Sequence, residues 1–356
     1  MSVIRKKTGN FLEDFRVGGV FRHKGGKTVN EGLFNSFTEF NMTTNPLSKN
    51  REYARLYGYD DIVCPPGLVM NVVFSQTVED VSENARANLE YIDMRFGAPV
   101  YPGDTLESET TVLGVASSTR DPDRGVVHVA SVGRKQTGEV VLAFERKVQV
   151  WKGDLAASVG DATLEKKPSV ECAPWIPAYD KARQYKARAH LSNRDTYFED
   201  FRAGDVFEHS RGRMVTDEHI ALTAQLDNTS QVHCNQHMID ANPDKYIGGR
   251  LIIYGGIPFN LCLGLSCPDI ADNALADVVY KTGRHVGPLF SGDTVFASTE
   301  IRECRPYPGR EDLGLLAVTL KGHKFARATA GDEAPKKTDI FVLEREIAVK
   351  RRSHYA

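Results

Sequence analysis

Hydrophobic positions fall into blocks of two different periods, and the blocks come round twice along the chain. Leu142, Phe144, Val148 and Val150 alternate with polar neighbours, as do Phe341, Leu343, Ile347 and Val349, so each set predicts a strand with one buried face. In both, an arginine (Arg146, Arg345) stands on that otherwise apolar face. The runs 126–132, 295–301 and 313–320 read as further strands. Ahead of them, 67–74 and 255–263 are apolar on nearly every side and are entered through glycine, the second with an early proline; each predicts a central helix buried all round. Polar-led stretches at 30–40 and 216–226 have helical character. One buried helix wrapped by an antiparallel sheet, twice over, is an α+β arrangement.

The duplication is explicit in the letters. Phe11 to Phe21 (FLEDFRVGGVF) returns as Tyr197 to Phe207 (YFEDFRAGDVF). Ala87, Tyr91, Arg95 and the run 99–105 return as Ala276, Tyr280, Arg284 and the run 288–294. The chain therefore divides into a first unit at 1–151, a connecting segment at 152–195 and a second unit at 196–356. The connection carries Pro168, Pro174 and Pro177, with a short helix expected near 181–189, and it must be long enough to cross the outside of both units. Spacing between the copies grows by about ten residues before the last match, which predicts a longer hairpin loop at 331–335.

Composition narrows the function. Forty-five Lys and Arg against 47 Asp and Glu leave no basic field for nucleic acid or an anionic membrane, so a charged ligand must be held by a few local cations. Six scattered cysteines without a C-x-x-C pair suit a reducing, cytoplasmic setting. The basic start of the chain has no apolar run behind it, and the longest apolar stretch, 251–265, is too short and too broken by Gly255, Gly256 and Pro258 to span a bilayer. No phosphate-cradling loop, nicotinamide fingerprint or nucleophile elbow is present.

Three motifs in order give the chain a resemblance to the MaoC-type dehydratase and (R)-specific enoyl-CoA hydratase family, whose fold is the hotdog. That family shows D-x-N-P-[LI]-H, then [IV]-x-H-G before the central helix, then P-[VL]-x-x-G-D-T. The first unit keeps the frame, with Asn45-Pro46-Leu47-Ser48, Cys64-Pro65-Pro66-Gly67 and 99–105, but lacks the acid and the imidazole. In the second, Asp227-Asn228-Thr229-Ser230-Gln231-Val232-His233, Tyr254-Gly255-Gly256 and 288–294 retain chemical groups. The resemblance, covering most of both halves, implies a double hotdog with a degenerate first unit and an active second one. Around 225–235 and 248–263 the wording is similar to that of the family's double-hotdog members that hydrate mesaconyl-CoA.

Hydration of an enoyl thioester needs a held water, a base, a proton for the α-carbon and donors for the enolate oxygen. The resemblance implies Asp227 and His233 as the acid/base couple and the Gly255 N–H as the oxyanion donor, helped by Gly256. Asp227 stands one residue outside the family's register, which Asn228 fills, so its role requires a local bulge; Ser230 replaces the motif's Asn. Tyr254, Ser230, Lys245 and Arg250 flank the site as candidate substrate contacts, and Arg284 is a candidate partner for a substrate carboxylate, with a solvated strand-edge arginine as its alternative. His233 and His237 are four apart, yet no third ligand of suitable spacing follows, so no metal is expected and His237 reads as a solvent-facing helix-start residue. The Gly103-Asp104 and Gly292-Asp293 turns read as structural.

The expected activity is thus reversible hydration of a short branched dicarboxylic acyl-CoA, with mesaconyl-CoA and β-methylmalyl-CoA as the pair implied. No separate cofactor is called for, coenzyme A being part of the substrate; a homodimer is an open possibility. The competing readings are an (R)-specific hydratase of fatty enoyl-CoA and a non-catalytic acyl-CoA-binding hotdog protein, with a hotdog thioesterase behind them.

Overall fold

The computed structural model of the protein describes residues 8–325 and 336–356; the hairpin loop expected at 331–335 lies outside them. Two α+β units share one antiparallel sheet of thirteen strands. Across it the long strands run Thr105–Ser117, Arg124–Lys135, Val140–Trp151 and Ala85–Phe96 from the first unit. Ala274–His285, Lys337–Lys350, Leu313–Phe325 and Thr294–Pro306 follow from the second. The units join where Ala85–Phe96 pairs with Ala274–His285, Val279 opposite Arg95 and Gly283 opposite Tyr91, so neither strand is left as an open edge.

Each unit wraps its half of the sheet around one helix, Pro66–Gln76 or Gly256–Ser266, and this is the double hotdog. The helices are apolar on all sides because all sides are covered: Leu68, Met70, Val72, Val73, Ile257, Phe259, Leu261 and Cys262 have no exposed surface. At about 1.5–3 kcal/mol per large apolar side chain, these two helices anchor a single core that runs through both units. They cross at glycines. A Cβ on Gly67 would fall inside the Asn260 side chain, and one on Gly256 inside those of Asn71 and Tyr254. The two asparagines donate within their own helices, Asn71 Nδ2 to the Gly67 carbonyl at 2.7 Å and Asn260 Nδ2 to that of Gly256 at 2.6 Å.

Duplication extends to buried polar detail. His23 places Nδ1 2.7 Å from Asp80 and Nε2 2.7 Å from Thr110; His209 makes the same two contacts, with Asp269 at 2.7 Å and Thr299 at 2.8 Å. The Asp104 and Asp293 carboxylates accept from the Tyr101 and Phe290 N–H groups, closing the two equivalent turns. The early helices begin at Glu31 and Asp217, behind Asn30 and Thr216. In the connecting segment, Leu164 donates to Leu113 and Trp175 to Gly97, and the only helical turn near the expected position is the 3-10 stretch Tyr185–Leu191.

Candidate active site

The motif segment of the second unit follows the helix Asp217–Gln225 and ends in a 3-10 turn, Gln231–His233. Asp227 takes a left-handed backbone conformation, φ 59°, which throws its side chain outward. There it is 58% exposed and 2.7 Å from Lys27 Nζ. The bulge that was to bring Asp227 beside His233 is absent, and Asp227 does not line the cavity described below. Asn228 takes the inward position instead, 8% exposed, its Oδ1 accepting the Ser230 N–H at 3.1 Å. With Oδ1 so committed, the amide NH₂ is left to face the cavity as a donor.

His233 lies beyond it. Its Nδ1 is 2.8 Å from the Ile252 carbonyl oxygen. A carbonyl can only accept, so Nδ1 carries the proton and Nε2 keeps a lone pair. Burial pushes the imidazole pKa down to about 4, with the Ile252 hydrogen bond opposing the shift. His23 and His209 have both ring nitrogens occupied; His233 has one nitrogen committed and one open.

Those residues open on a cavity of about 380 Å³ built by both units. The second unit supplies Asn228, Ser230, His233, Tyr254, Gly255 and His285; the first supplies Phe74, Ser82, Asn88, Tyr91 and Arg146. Gly255 sits at the N-terminal end of the second central helix, where unpaired N–H groups and the helix dipole favour negative charge. A Cβ on Gly255 would lie 2.7 Å from His285 Nε2, so glycine is what allows the imidazole to stand against the helix end. His285 is itself driven down to about pKa 4 by burial, and its Nε2 is 3.4 Å from the Tyr91 hydroxyl. Tyr254 is buried with its hydroxyl toward Ser75 and Asn228, and burial raises its pKa.

The charged lining is one-sided. Arg86, Arg146, Lys245 and Arg250 line the cavity, and no Asp or Glu does among the described residues. Arg86, Lys245 and Arg250 are exposed, Lys245 with its Nζ 5.2 Å from the Trp151 ring centre and Arg250 4.1 Å from that of Phe290. Leu89, Ile247 and Val286, more than a third exposed, add an apolar collar. Arg146 has no exposed surface. It reaches the Thr77 hydroxyl at 2.8 Å and that of Ser82 at 3.3 Å, lies 4.3 Å from the Phe74 ring centre, and is lowered to about pKa 10 by burial.

Of the residues expected from sequence, His233, Gly255, Tyr254, Ser230, Lys245 and Arg250 thus meet at one cavity. Three do not. Asp227 points to Lys27, Gly256 is used for helix crossing, and Arg284 is exposed and lies outside the lining. Asn228, Arg146, His285 and Tyr91 were given no role by sequence reasoning. His285 had a signal: the repeat that matches Tyr91 to Tyr280 places it opposite Phe96, a polar residue where the first unit is apolar. No group of three or more potential metal ligands occurs among the described residues, and His237 is exposed. No helix among them is long and apolar enough to cross a membrane.

Comparison with known proteins adds three findings. The sequence model of the family described as mesaconyl-CoA hydratase matches residues 3–331. Relatives include a β-methylmalyl-CoA dehydratase of Chloroflexus aurantiacus, 36% identical over 87% of both chains. A mesaconyl-CoA hydratase of Cereibacter sphaeroides is 33% identical over 89% of this chain and 91% of its own. Among solved structures, a MaoC domain protein dehydratase of Chloroflexus aurantiacus superposes with a TM-score of 0.87 at 31% identity, covering 98% of this chain and all of its own. A double-hotdog protein of Mycobacterium tuberculosis, TM-score 0.75 at 20% identity over 95% and 98% of the two chains, shares the fold.

Proposed function

The chain belongs to the mesaconyl-CoA hydratase family, and from that premise we infer that it is a hydro-lyase interconverting mesaconyl-CoA plus water with β-methylmalyl-CoA. The observation that carries the chemistry is the His233 ring, its Nδ1 tied to a carbonyl and its Nε2 unbonded, lining a cavity of about 380 Å³ that Gly255 at the start of the second central helix also lines.

In the hydration direction, the Asn228 NH₂ donates to the water oxygen while His233 Nε2 accepts one of its protons. The oxygen bonds to the β-carbon, and the double-bond pair moves to place negative charge on the thioester oxygen, which the Gly255 N–H receives. One such donor is worth about 2.7–4 kcal/mol of barrier. The imidazolium then returns its proton to the α-carbon, so that one water is added and nothing else consumed. A neutral imidazole of low pKa is a modest base, but its conjugate acid is a strong one, which favours the return step. Burial that lowers the pKa is countered when an anionic substrate enters the cavity. Ser230 and Tyr254 complete the wall around the water. Lys245 and Arg250, together with Arg86, take the coenzyme A phosphates at the mouth, and Leu89, Ile247 and Val286 flank the pantetheine arm.

The experiment is to offer the purified protein mesaconyl-CoA and crotonyl-CoA separately and follow loss of the conjugated enoyl absorbance. Fast hydration of mesaconyl-CoA with slow or no hydration of crotonyl-CoA is expected; fast turnover of crotonyl-CoA alone overturns the substrate.

A further inference from the structure

The pseudo-twofold repeat makes a second cavity, about 140 Å³, related to the first by exchange of the units. It is lined by the first unit's motif residues Asn45, Ser48 and Gly67 and by the second unit's Asp277, Tyr280 and Arg345. In the same way, the cavity holding His233 takes Asn88, Tyr91 and Arg146 from the first unit. Each site therefore pairs the motif of one unit with the wall of the other.

The walls differ at the position beside their buried arginine. In the second unit Arg345 Nη1 is 3.2 Å from Asp277, so the buried cation is neutralised within the protein. The repeat that matches Ala87 to Ala276 and Tyr91 to Tyr280 places Asn88 where Asp277 stands. The register agrees: Tyr91 faces Arg146 and Tyr280 faces Arg345 across their strand pairs. Arg146 consequently has only hydroxyl partners and no carboxylate among the described residues. Both polar atoms of the Asn88 amide are buried without a hydrogen-bond partner. A fully buried guanidinium without an anion is costly, and removing its charge partner normally destabilises a protein strongly. Here the vacancy lies in the cavity that contains both His233 and His285, while the neutralised pair lies in the cavity where Ser48 and Phe96 replace them.

We propose that Arg146, with the Asn88 amide beside it, is the binding subsite for the distal carboxylate of the acyl group. The first unit, without acid/base groups of its own, then supplies the charge recognition that selects a dicarboxylic acyl-CoA. The proposal rests on the dicarboxylic substrate inferred above. Guanidinium accepts a carboxylate through two parallel hydrogen bonds, and an uncharged acyl chain of equal length leaves those donors unmet.

Two saturated thioesters of equal carbon count, succinyl-CoA and butyryl-CoA, have no double bond to hydrate and differ by a carboxylate in place of a methyl group. Their affinities for the full-length protein, measured by calorimetry, are compared in wild type, Asn88→Asp and Arg146→Met. Asn88→Asp recreates the pairing that Asp277 and Arg345 already make and so should fold; Arg146→Met removes the charge outright, and circular dichroism confirms both. Wild type should favour succinyl-CoA by at least about 30-fold, and either folded variant should bring the two ligands near parity. A preference that survives undiminished in a folded variant overturns the Arg146 subsite and leaves the dicarboxylic substrate standing. No preference in wild type removes the dicarboxylic substrate itself, and the subsite with it.

Discussion

His233 differs from His23 and His209 in the nitrogen that the fold leaves unbonded at the cavity. Because its pKa is held down near 4, the imidazole remains a base through the neutral range. Protonation as the pH falls through about 4 removes that base, so the acid limb of kcat/KM for mesaconyl-CoA should appear near pH 4. A limb at the ordinary histidine value of about 6.5 would show an imidazole less buried than this one. The same depression at His233 and His285 means the unfolded chain takes up protons between about pH 6.5 and 4 that the folded chain refuses; thermal stability should decline across that window as the pH falls. Asp227 is the residue at which local sequence misleads. It is the nearest carboxylate to His233 in the chain, but a positive φ turns it to Lys27, a backbone choice that no spacing rule reveals. Asp227→Asn should therefore keep kcat within about twofold of wild type, since it alters an exposed ion pair; a hundredfold loss in the same absorbance assay would return the carboxylate to the mechanism.

At the scale of elements, the central and early helices were legible, whereas the strand that joins the units was read in neither copy and Thr105–Ser117 was missed in the first. The central helices announce themselves by a wholly apolar run behind glycine and proline, and the early helices by Asn30 and Thr216 at their caps. Strands Ala85–Phe96 and Ala274–His285 escape period-2 reading because three register shifts interrupt each pairing, as between Asn88 and Glu90 or Asp277 and Val279. These are the strands that join the units and bring Asn88, Tyr91 and His285 to the cavity, so the part of the site they carry was hidden with them. Arg146 was visible as an arginine on an apolar face, but its meaning depends on a partner that only the fold identifies. The adjacent glycines at the second helix start should separate on substitution. Gly256→Ala drives a Cβ into Asn71 and Tyr254, costing about 1–3 kcal/mol, and should lower the melting temperature by several degrees. Gly255→Ala meets the His285 ring first, at 2.7 Å against 1.9 Å for the Asn71 clash of Gly256→Ala, and should lower the melting temperature less while losing about 10- to 100-fold in kcat.

Over the whole molecule, the duplication yields two cavities, and the proposed chemistry uses the one that holds His233. The offset that matches Gly67 to Gly256 puts Pro66 opposite Gly255, and proline has no N–H to offer an enolate. Ser48 stands for His233 and Phe96 for His285. The two walls keep their arginine, Arg146 or Arg345, and differ at the residue beside it, Asn88 in the His233 cavity and Asp277 in the other. The account accordingly locates all water addition in the cavity of His233. The most direct measurement is the rate of mesaconyl-CoA hydration by two variants in parallel, His233→Ala and Ser48→Ala, each shown to be folded. Loss of about 10²- to 10⁴-fold in kcat for His233→Ala, with Ser48→Ala within about twofold of wild type, is predicted. Near-normal turnover by His233→Ala, or a collapse confined to Ser48→Ala, would contradict it.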